Sequence, residues 1–595
     1  GVRLDLPLQE NLGLLLSYRQ THSKIPLQHF EQKRNQIRKL ENYFLKLAHS
    51  FSERTSISLS FARNPYEEKR FREVSLGSEI KNSWYTLDTD SQRFAAEINH
   101  DFSFGKIELK GAFNRSKTSR HAPSNYFNWL VRPTGWVGDW DKDWGTLSQS
   151  KEGGYGDLES SQKGQTVNAS LQLDPVNSGP IRHEIKLGGG FERITGTFKR
   201  QDTSYIYTVI SSGANSSIIC QGDEGCVDNQ QYAAFRSVYE ADSAKETINA
   251  RHFYAQDELS CGRLTLRPGI RYASDNFMNN DDVDLRLAAS VDLFGTGTTV
   301  LIGGLNRYHG RSLLAYRLAE AKKPVYIERR SRDPATNTLT EWVPLTQSKS
   351  FKRYSDLKTP YSDEWTLGAD QALLGGRLKL NYLERHNKDE FAQETLEEDE
   401  EGRYFTILNN NGRSKHEEFT VEWERRWKRH ALFVNFTWQR TRTSNDSYPD
   451  PLDDEDLLDR VYYDGELMKK TDLPRGDFNR GYVCNLVYTA QLPFGFTFTN
   501  STRYRSGFSS LEDSGEDMVG PDGVSYPIYE KDKQPESWIF DWRLDWRRKL
   551  YGSHDVHLRL ELNNVFNQKV PAGAEDTIQT YEIGRQLWAG LEYYF

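Results

Sequence analysis

The chain contains no long hydrophobic run. A helix that crosses a membrane needs roughly 18 consecutive apolar residues, and nothing here approaches that, with hydrophobic residues at 36% of the total and a mean hydropathy of -0.76. Helical membrane proteins are therefore excluded. Charge of one sign is not in large excess either: a net charge of -8 over 595 residues argues against a nucleic-acid partner. The signatures of catalysis are missing. There is no His-Glu-x-x-His, no P-loop, no Gly-x-Ser-x-Gly and no Cys-x-x-Cys pair, the 13 His are scattered, and Gly295-Thr-Gly297 reads as a turn. No Ser, His and Asp set is suggested by spacing, so neither an enzyme nor a cofactor is expected. Gly1 is preceded by no initiator Met and followed by no charged-then-apolar leader, so any signal peptide is expected to have been removed.

What is present is aromatic and alternating. The 31 Tyr, 30 Phe and 14 Trp suit interfacial girdles better than an ordinary core. The last strand, Leu587 to Phe595, places Leu587, Leu591, Tyr593 and Phe595 on one face at period two and ends on an aromatic. The same period recurs throughout. Val283, Leu285, Leu287, Ala289, Val291 and Leu293 oppose Asp284, Arg286, Ser290 and Asp292, and Trp538, Phe540, Trp542, Leu544 and Trp546 oppose Asp541, Arg543, Asp545 and Arg547. Such charge would be prohibitive in a sandwich core, but it suits a wet lumen behind a lipid-facing wall. A barrel needs apolar side chains on one face of each strand only, which reconciles a polar composition with a membrane.

Connections alternate short and long. Ten short reversals lie near 7–10, 50–54, 102–106, 174–180, 260–263, 294–297, 373–376, 427–430, 492–495 and 549–553. Longer segments separate them, the largest being roughly 118–162, 197–243 and 309–360, with others near 22–39, 65–91, 274–280, 389–413, 443–476, 508–534 and 567–579. This is the asymmetry of short periplasmic turns and long external loops. Ten hairpins and a terminal strand make about 21 strands, and bacterial single-chain barrels are even-numbered. The expectation is an all-β transmembrane antiparallel barrel of about 22 strands filling residues 1–595 as one barrel domain, with one strand lying before Gly1.

The segment Leu562-Asn-Asn-Val-Phe-Asn567, then Tyr581-Glu-Ile-Gly-Arg585 and Leu587 to Phe595, resembles the closing hairpin of TonB-dependent outer-membrane receptors. Gly304-Leu-Asn-Arg-Tyr-His-Gly-Arg311 is also similar to members of that family. The resemblance implies a 22-stranded barrel in the Gram-negative outer membrane, bathed in outer-membrane lipid and inserted by the barrel assembly machinery. It also implies an N-terminal plug domain that engages the TonB complex, and energised uptake of a small-molecule or chelate ligand such as a siderophore. Neither plug nor TonB box is found in these residues, so the chain is expected to be the barrel portion of a longer protein. A passive porin-like channel, or a barrel scaffold working with a separate plug or partner, is the alternative.

If the family reading holds, ligand meets the external loops and upper lumen. Trp136, Trp140 and Trp144, interleaved with acids, would either stack on an aromatic, sugar or cationic ligand or form interfacial and loop packing. Arg307, Tyr308, His309, Arg311, Tyr316 and Arg317 would either bind an anionic chelate or belong to a lumen salt-bridge lattice. Asp453, Asp454 and Asp456, and the run Glu397 to Glu401, offer hard oxygen ligands for calcium but lack the ordered spacing of an EF-hand loop; solvated charge is the other reading. Cys220 and Cys226, in a Ser, Gly and Asn-rich stretch, would staple a loop tip in an oxidising compartment or stay free thiols. Cys261 and Cys484 have no evident partner.

Overall fold

In the strand Ser537–Lys549 every second residue is a large apolar one, and the computed structural model turns those residues outward: Trp538 and Trp542 are exposed, while Asp541, Arg543 and Asp545 pair with other charged groups. The structure describes residues 1–29, 32–71, 84–130, 149–209, 217–310, 314–345, 349–354, 357–395, 399–400, 403–443, 460–469, 473, 480–521, 525–552, 554–570 and 581–594.

Strand pairing follows the alternation. One sheet contains 23 strands; Val176–Ser178 and Lys349–Arg353 are side branches, so 21 remain in an antiparallel meander that runs in chain order from Val2–Gln9 to Gln586–Tyr594. All ten short reversals of the sequence fall where one strand of the meander turns into the next. At one of them, Leu374 and Gly375 both have positive φ, 53° and 68°, as a two-residue turn whose twist matches its strands requires.

The apolar residues are not sandwiched between layers. Leu285, Leu305, Leu367, Leu587 and Leu591 all stand open on the outer wall. The inner wall is a lattice of ions and hydrogen bonds: Arg385 to Glu364 (Nε–Oε2 3.0 Å), Arg503 to Asp541 (2.9 Å), and Asp545 to His557 (2.8 Å) and Arg559 (3.2 Å). Hydrocarbon solvates one face and water the other, which is why the sequence reads as polar on average.

Some segments read from sequence as loops are strand. Leu12–His29 and Gln32–Ser52 hold a single register from Leu12↔His49 to His29↔Gln32, so residues 22–29 and 32–39 extend the wall instead of leaving it. The same holds for parts of 65–91 and 389–413, where strands reach Phe71, restart at Trp84, reach Thr395 and restart at Arg403. Beyond the lipid both faces are wet, so no apolar period marks these extensions.

Buried hydrophobic residues concentrate where the long connections meet the barrel rim. The helix Leu314–Ala321 sends Tyr316 and Ala319 into a cluster with Met278, Tyr354, Leu357, Phe391 and Leu408, and Leu318 against Phe198 and Ala244.

Candidate ligand-binding region

The three largest connections fold onto one another. Val343–Pro344, Tyr326–Arg329, Gln231–Tyr239, Ser204–Val209, Asn125–Leu130 and Gln149–Gly153 lie side by side in a seven-stranded sheet, the seventh strand being Cys226–Val227 beside Gln231–Tyr239. Ser204–Val209 and Asn125–Leu130 run parallel, a pairing that only separate connections can make. Connections 443–476 and 508–534 build a second, four-stranded sheet in the same way, joined by the parallel pair Tyr462↔Ile528 and Tyr463↔Tyr529.

Stacked rings and cations hold the larger cap. Phe127 lies flat on Trp129 (5.5 Å between ring centres) and on Tyr207 (4.9 Å), and the Trp129 indole donates to Glu152 at 3.1 Å. Arg236 sits over Tyr205 (4.1 Å) and Trp342 (4.5 Å) while pairing with Glu328 at 2.6 Å. Burial, reinforced by the hydrogen bond that Tyr207 donates to Glu224 at 2.7 Å, pushes the Tyr207 phenol well above its usual range, so it stays protonated. Cys220 and Cys226 are disulfide-bonded, as one of the two sequence readings expected, with Cα atoms 5.6 Å apart. Arg330 enters the stapled loop: it donates to Asp223 (2.7 and 2.8 Å), to the Gly225 carbonyl (3.1 Å) and to the Ala233 carbonyl (2.9 Å), and stacks on Trp342 at 4.1 Å. Arg330 was not singled out by sequence reasoning, and no local signal marks it, since its acid lies 107 residues away.

The lumen wall contains a recess of about 400 Å³ lined by Lys186, Tyr254, Arg267, Arg271, Arg286 and Asn306. Arg267 reaches Glu258 (Nε–Oε2 2.9 Å) and Arg286 reaches Asp284 (3.3 Å). Cations predominate along this stretch of wall.

The basic aromatic cluster of the sequence is divided by the fold. Arg307 shares the outward face of its strand with Leu305, makes a two-point bond to Asp363 (2.7 and 3.0 Å) and covers the Tyr361 ring. Tyr308 turns to the lumen beneath Arg286, 4.6 Å from ring centre to guanidinium carbon. His309 meets Asp284 through its ring at 2.7 Å and its backbone N–H at 3.0 Å. Tyr316 is almost fully buried in the helix cluster, and Arg317 pairs with Glu246 at 2.9 Å. Thus Tyr308 and His309 share one network through Asp284 and Arg286, Arg307 touches it through the Tyr361 ring, which packs on His309 at 5.5 Å, and Tyr316 and Arg317 make their contacts around the helix instead. Trp136, Trp140, Trp144, Arg311, Asp453, Asp454, Asp456 and Phe595 lie outside the described residues. Of the run Glu397 to Glu401, Asp399 is bound to Arg403 at 2.8 Å. Cys261 and Cys484 are free thiols.

A meander of this size with folded loops at one end invites comparison with known barrels, and residues 42–565 match the family described as TonB dependent receptor-like, beta-barrel. The chain belongs to that family. Among curated proteins the receptor barrel is similar to YddB of Escherichia coli K12, an uncharacterised protein, with 23% identity over 456 residues covering 74% of this chain; it spans 53% of that relative's length. Among solved structures, the outer membrane transporter YddB superposes with a TM-score of 0.72 at 18% identity, covering all of this chain and 74% of its own. A mutant of the ferric enterobactin receptor PfeA from Pseudomonas aeruginosa (TM-score 0.60, 13%, covering 99% and 76%) and the siderophore receptor PirA from Acinetobacter baumannii (0.61, 12%, 99% and 76%) share the fold. The receptor barrel resides in the Gram-negative outer membrane.

Proposed function

We propose that residues 1–595 work as the barrel of an importer that takes up a scarce metal chelate such as a siderophore, with an N-terminal plug and the TonB complex supplying gating and energy. The observation that carries the reading is the pairing of a folded external cap with a lumen wall rich in cations, Lys186, Arg267, Arg271 and Arg286. A cap held by crossed loops presents a preformed concave surface, and guanidiniums on the wall favour an anionic ligand through charge-assisted hydrogen bonds. The siderophore receptors with the same fold support the chelate class. Ligand contacts are assigned to the Trp136, Trp140 and Trp144 loop and to the Tyr308 and His309 network.

The test is growth of a deletion strain on single iron, cobalamin or glycan sources, followed by uptake of the labelled ferric chelate into cells carrying the full-length protein. Rescue on one chelate, lost when the proton gradient is collapsed, supports the importer. Solute entry that persists without the gradient identifies a passive pore instead.

A further inference from the structure

On one side of the cylinder the apolar belt ends on the same two-residue step in neighbouring strands. Phe113 is followed by Arg115 and Phe191 by Arg193, while Arg251 precedes Phe253 on a strand of opposite direction, so three guanidiniums stand one outward position beyond three exposed rings. Lys163 lies directly opposite Arg115. Arg193 is offset by two residues from Lys163's partner Thr195, and Arg251 by two more, opposite Phe191, so the four follow the edge of the belt. All four are exposed and lie on the long-connection side of their strands.

Like charges side by side weaken a sheet, and among the described residues no carboxylate forms a direct pair with any of these. Among the described residues none of the four takes part in a hydrogen bond or ion pair. Two carboxylates within electrostatic reach have other partners: Asp90, near Arg115, holds Arg63 at 3.0 and 3.2 Å, and Asp281, near Arg251, accepts from Tyr272 at 2.7 Å.

Directly beneath the row the outer wall is concave. An apolar groove of about 750 Å³ has Leu109, Leu187, Phe191 and Phe253 among its sides and Ala169 and Gly189 in its floor, with Arg251 at its rim. The floor is kept low by sterics: a Cβ on Gly189 would meet Phe253 Cδ1 at 2.7 Å and the His252 carbonyl at 2.9 Å. Hydrocarbon already surrounds this wall, so the groove selects by van der Waals fit, and charge decides which lipid fills it.

We propose that this face holds an anionic lipid of the outer leaflet, with phosphates against Arg115, Lys163, Arg193 and Arg251 and an acyl chain in the groove below. Guanidiniums bind phosphate through paired N–H donors. The row crosses three strand spacings with four residues of stagger along the strands, roughly 20 Å end to end, a width that suits a headgroup carrying two phosphates better than one.

The full-length protein is placed in phosphatidylcholine nanodiscs and titrated with bisphosphorylated lipid A, bound lipid being counted by native mass spectrometry. The expected result is one tightly held copy. Each cation near a membrane surface contributes about fivefold in affinity, so the combined Arg115→Gln, Lys163→Gln, Arg193→Gln and Arg251→Gln variant should bind several-hundredfold more weakly. Ala169→Phe, which fills the groove and leaves the charge unchanged, should reduce retention at least fivefold. Lys428→Gln with Arg429→Gln in a short turn should change nothing, and dephosphorylated lipid A should not be retained. Retention at the wild-type level by either the charge variant or Ala169→Phe, or equal retention of the dephosphorylated lipid, overturns the proposal. Heat-modifiable migration on gels verifies folding, and if the fourfold variant fails it, Ala169→Phe and the dephosphorylated lipid carry the test.

Discussion

Replacing Arg330 by Ala should open the external cap and leave the barrel intact. The side chain is 2% exposed and its guanidinium spends every face on its neighbours: two bonds to Asp223 and one to the Gly225 carbonyl in the stapled loop, one to the Ala233 carbonyl, and a stack on Trp342. Breaking a buried ion pair from one side costs about 3–5 kcal/mol, because the remaining charge is stranded. Here Asp223 is 30% exposed and regains water, so the lower end, about 3 kcal/mol, is the better figure. At 1.4 kcal/mol per decade this is roughly a hundredfold rise in the open population of the cap. The assay is native-state hydrogen exchange read on peptides from 217–239 and 326–345, with limited proteolysis of the same loops as a second readout. Arg330→Lys should fall between, since a point charge cannot make the two-point bond. An increase below about fivefold would refute the reasoning. So would a parallel fall in barrel stability, because the cap would then not be a separate cooperative unit.

Other outcomes follow from the same structure. Replacing Cys220 and Cys226 by Ser should destabilise the cap by about 2 kcal/mol, the value for a loop of this length, and chemical reduction of the wild type should reproduce the exchange pattern of the double variant. Leu285→Arg, on the outer face, should lower the free energy of folding into bilayers by about 2–4 kcal/mol if it sits near the midplane, whereas Ala288→Arg on the inner face of the same strand should change it by less than about 1 kcal/mol; equal effects would mean that the inside and outside assignments are wrong. Changing Trp136, Trp140 and Trp144 together to Ala should weaken chelate binding by at least tenfold without moving the barrel's unfolding transition, as titration calorimetry and thermal denaturation would show.

The barrel was legible because membrane physics writes itself locally. A lipid-facing strand must show an apolar residue at every second place, as Trp538 to Trp546 does, and short turns must punctuate the chain at a spacing that strand length sets. Class, strand number, wall orientation and the ten short reversals therefore follow from residue order alone. That local code ends at the edge of the hydrocarbon. From His22 to His29 and from Gln32 to Lys39 the strands continue without it, because water on both sides removes the need for alternation. The cap is further still from being readable. Arg330 and Asp223 are 107 residues apart, and Arg236 and Glu328 are 92, so each becomes a partner only when two separate loops are laid side by side. The division of the Arg307 to Arg317 cluster has the same origin: neighbours in sequence point to opposite faces of a strand, and Tyr316 enters a buried cluster because a short helix follows. Sequence alone determined a wall that separates lipid from water. Which charged and aromatic groups stand together above it was decided by loop topology, because no solvent boundary imposes a period there.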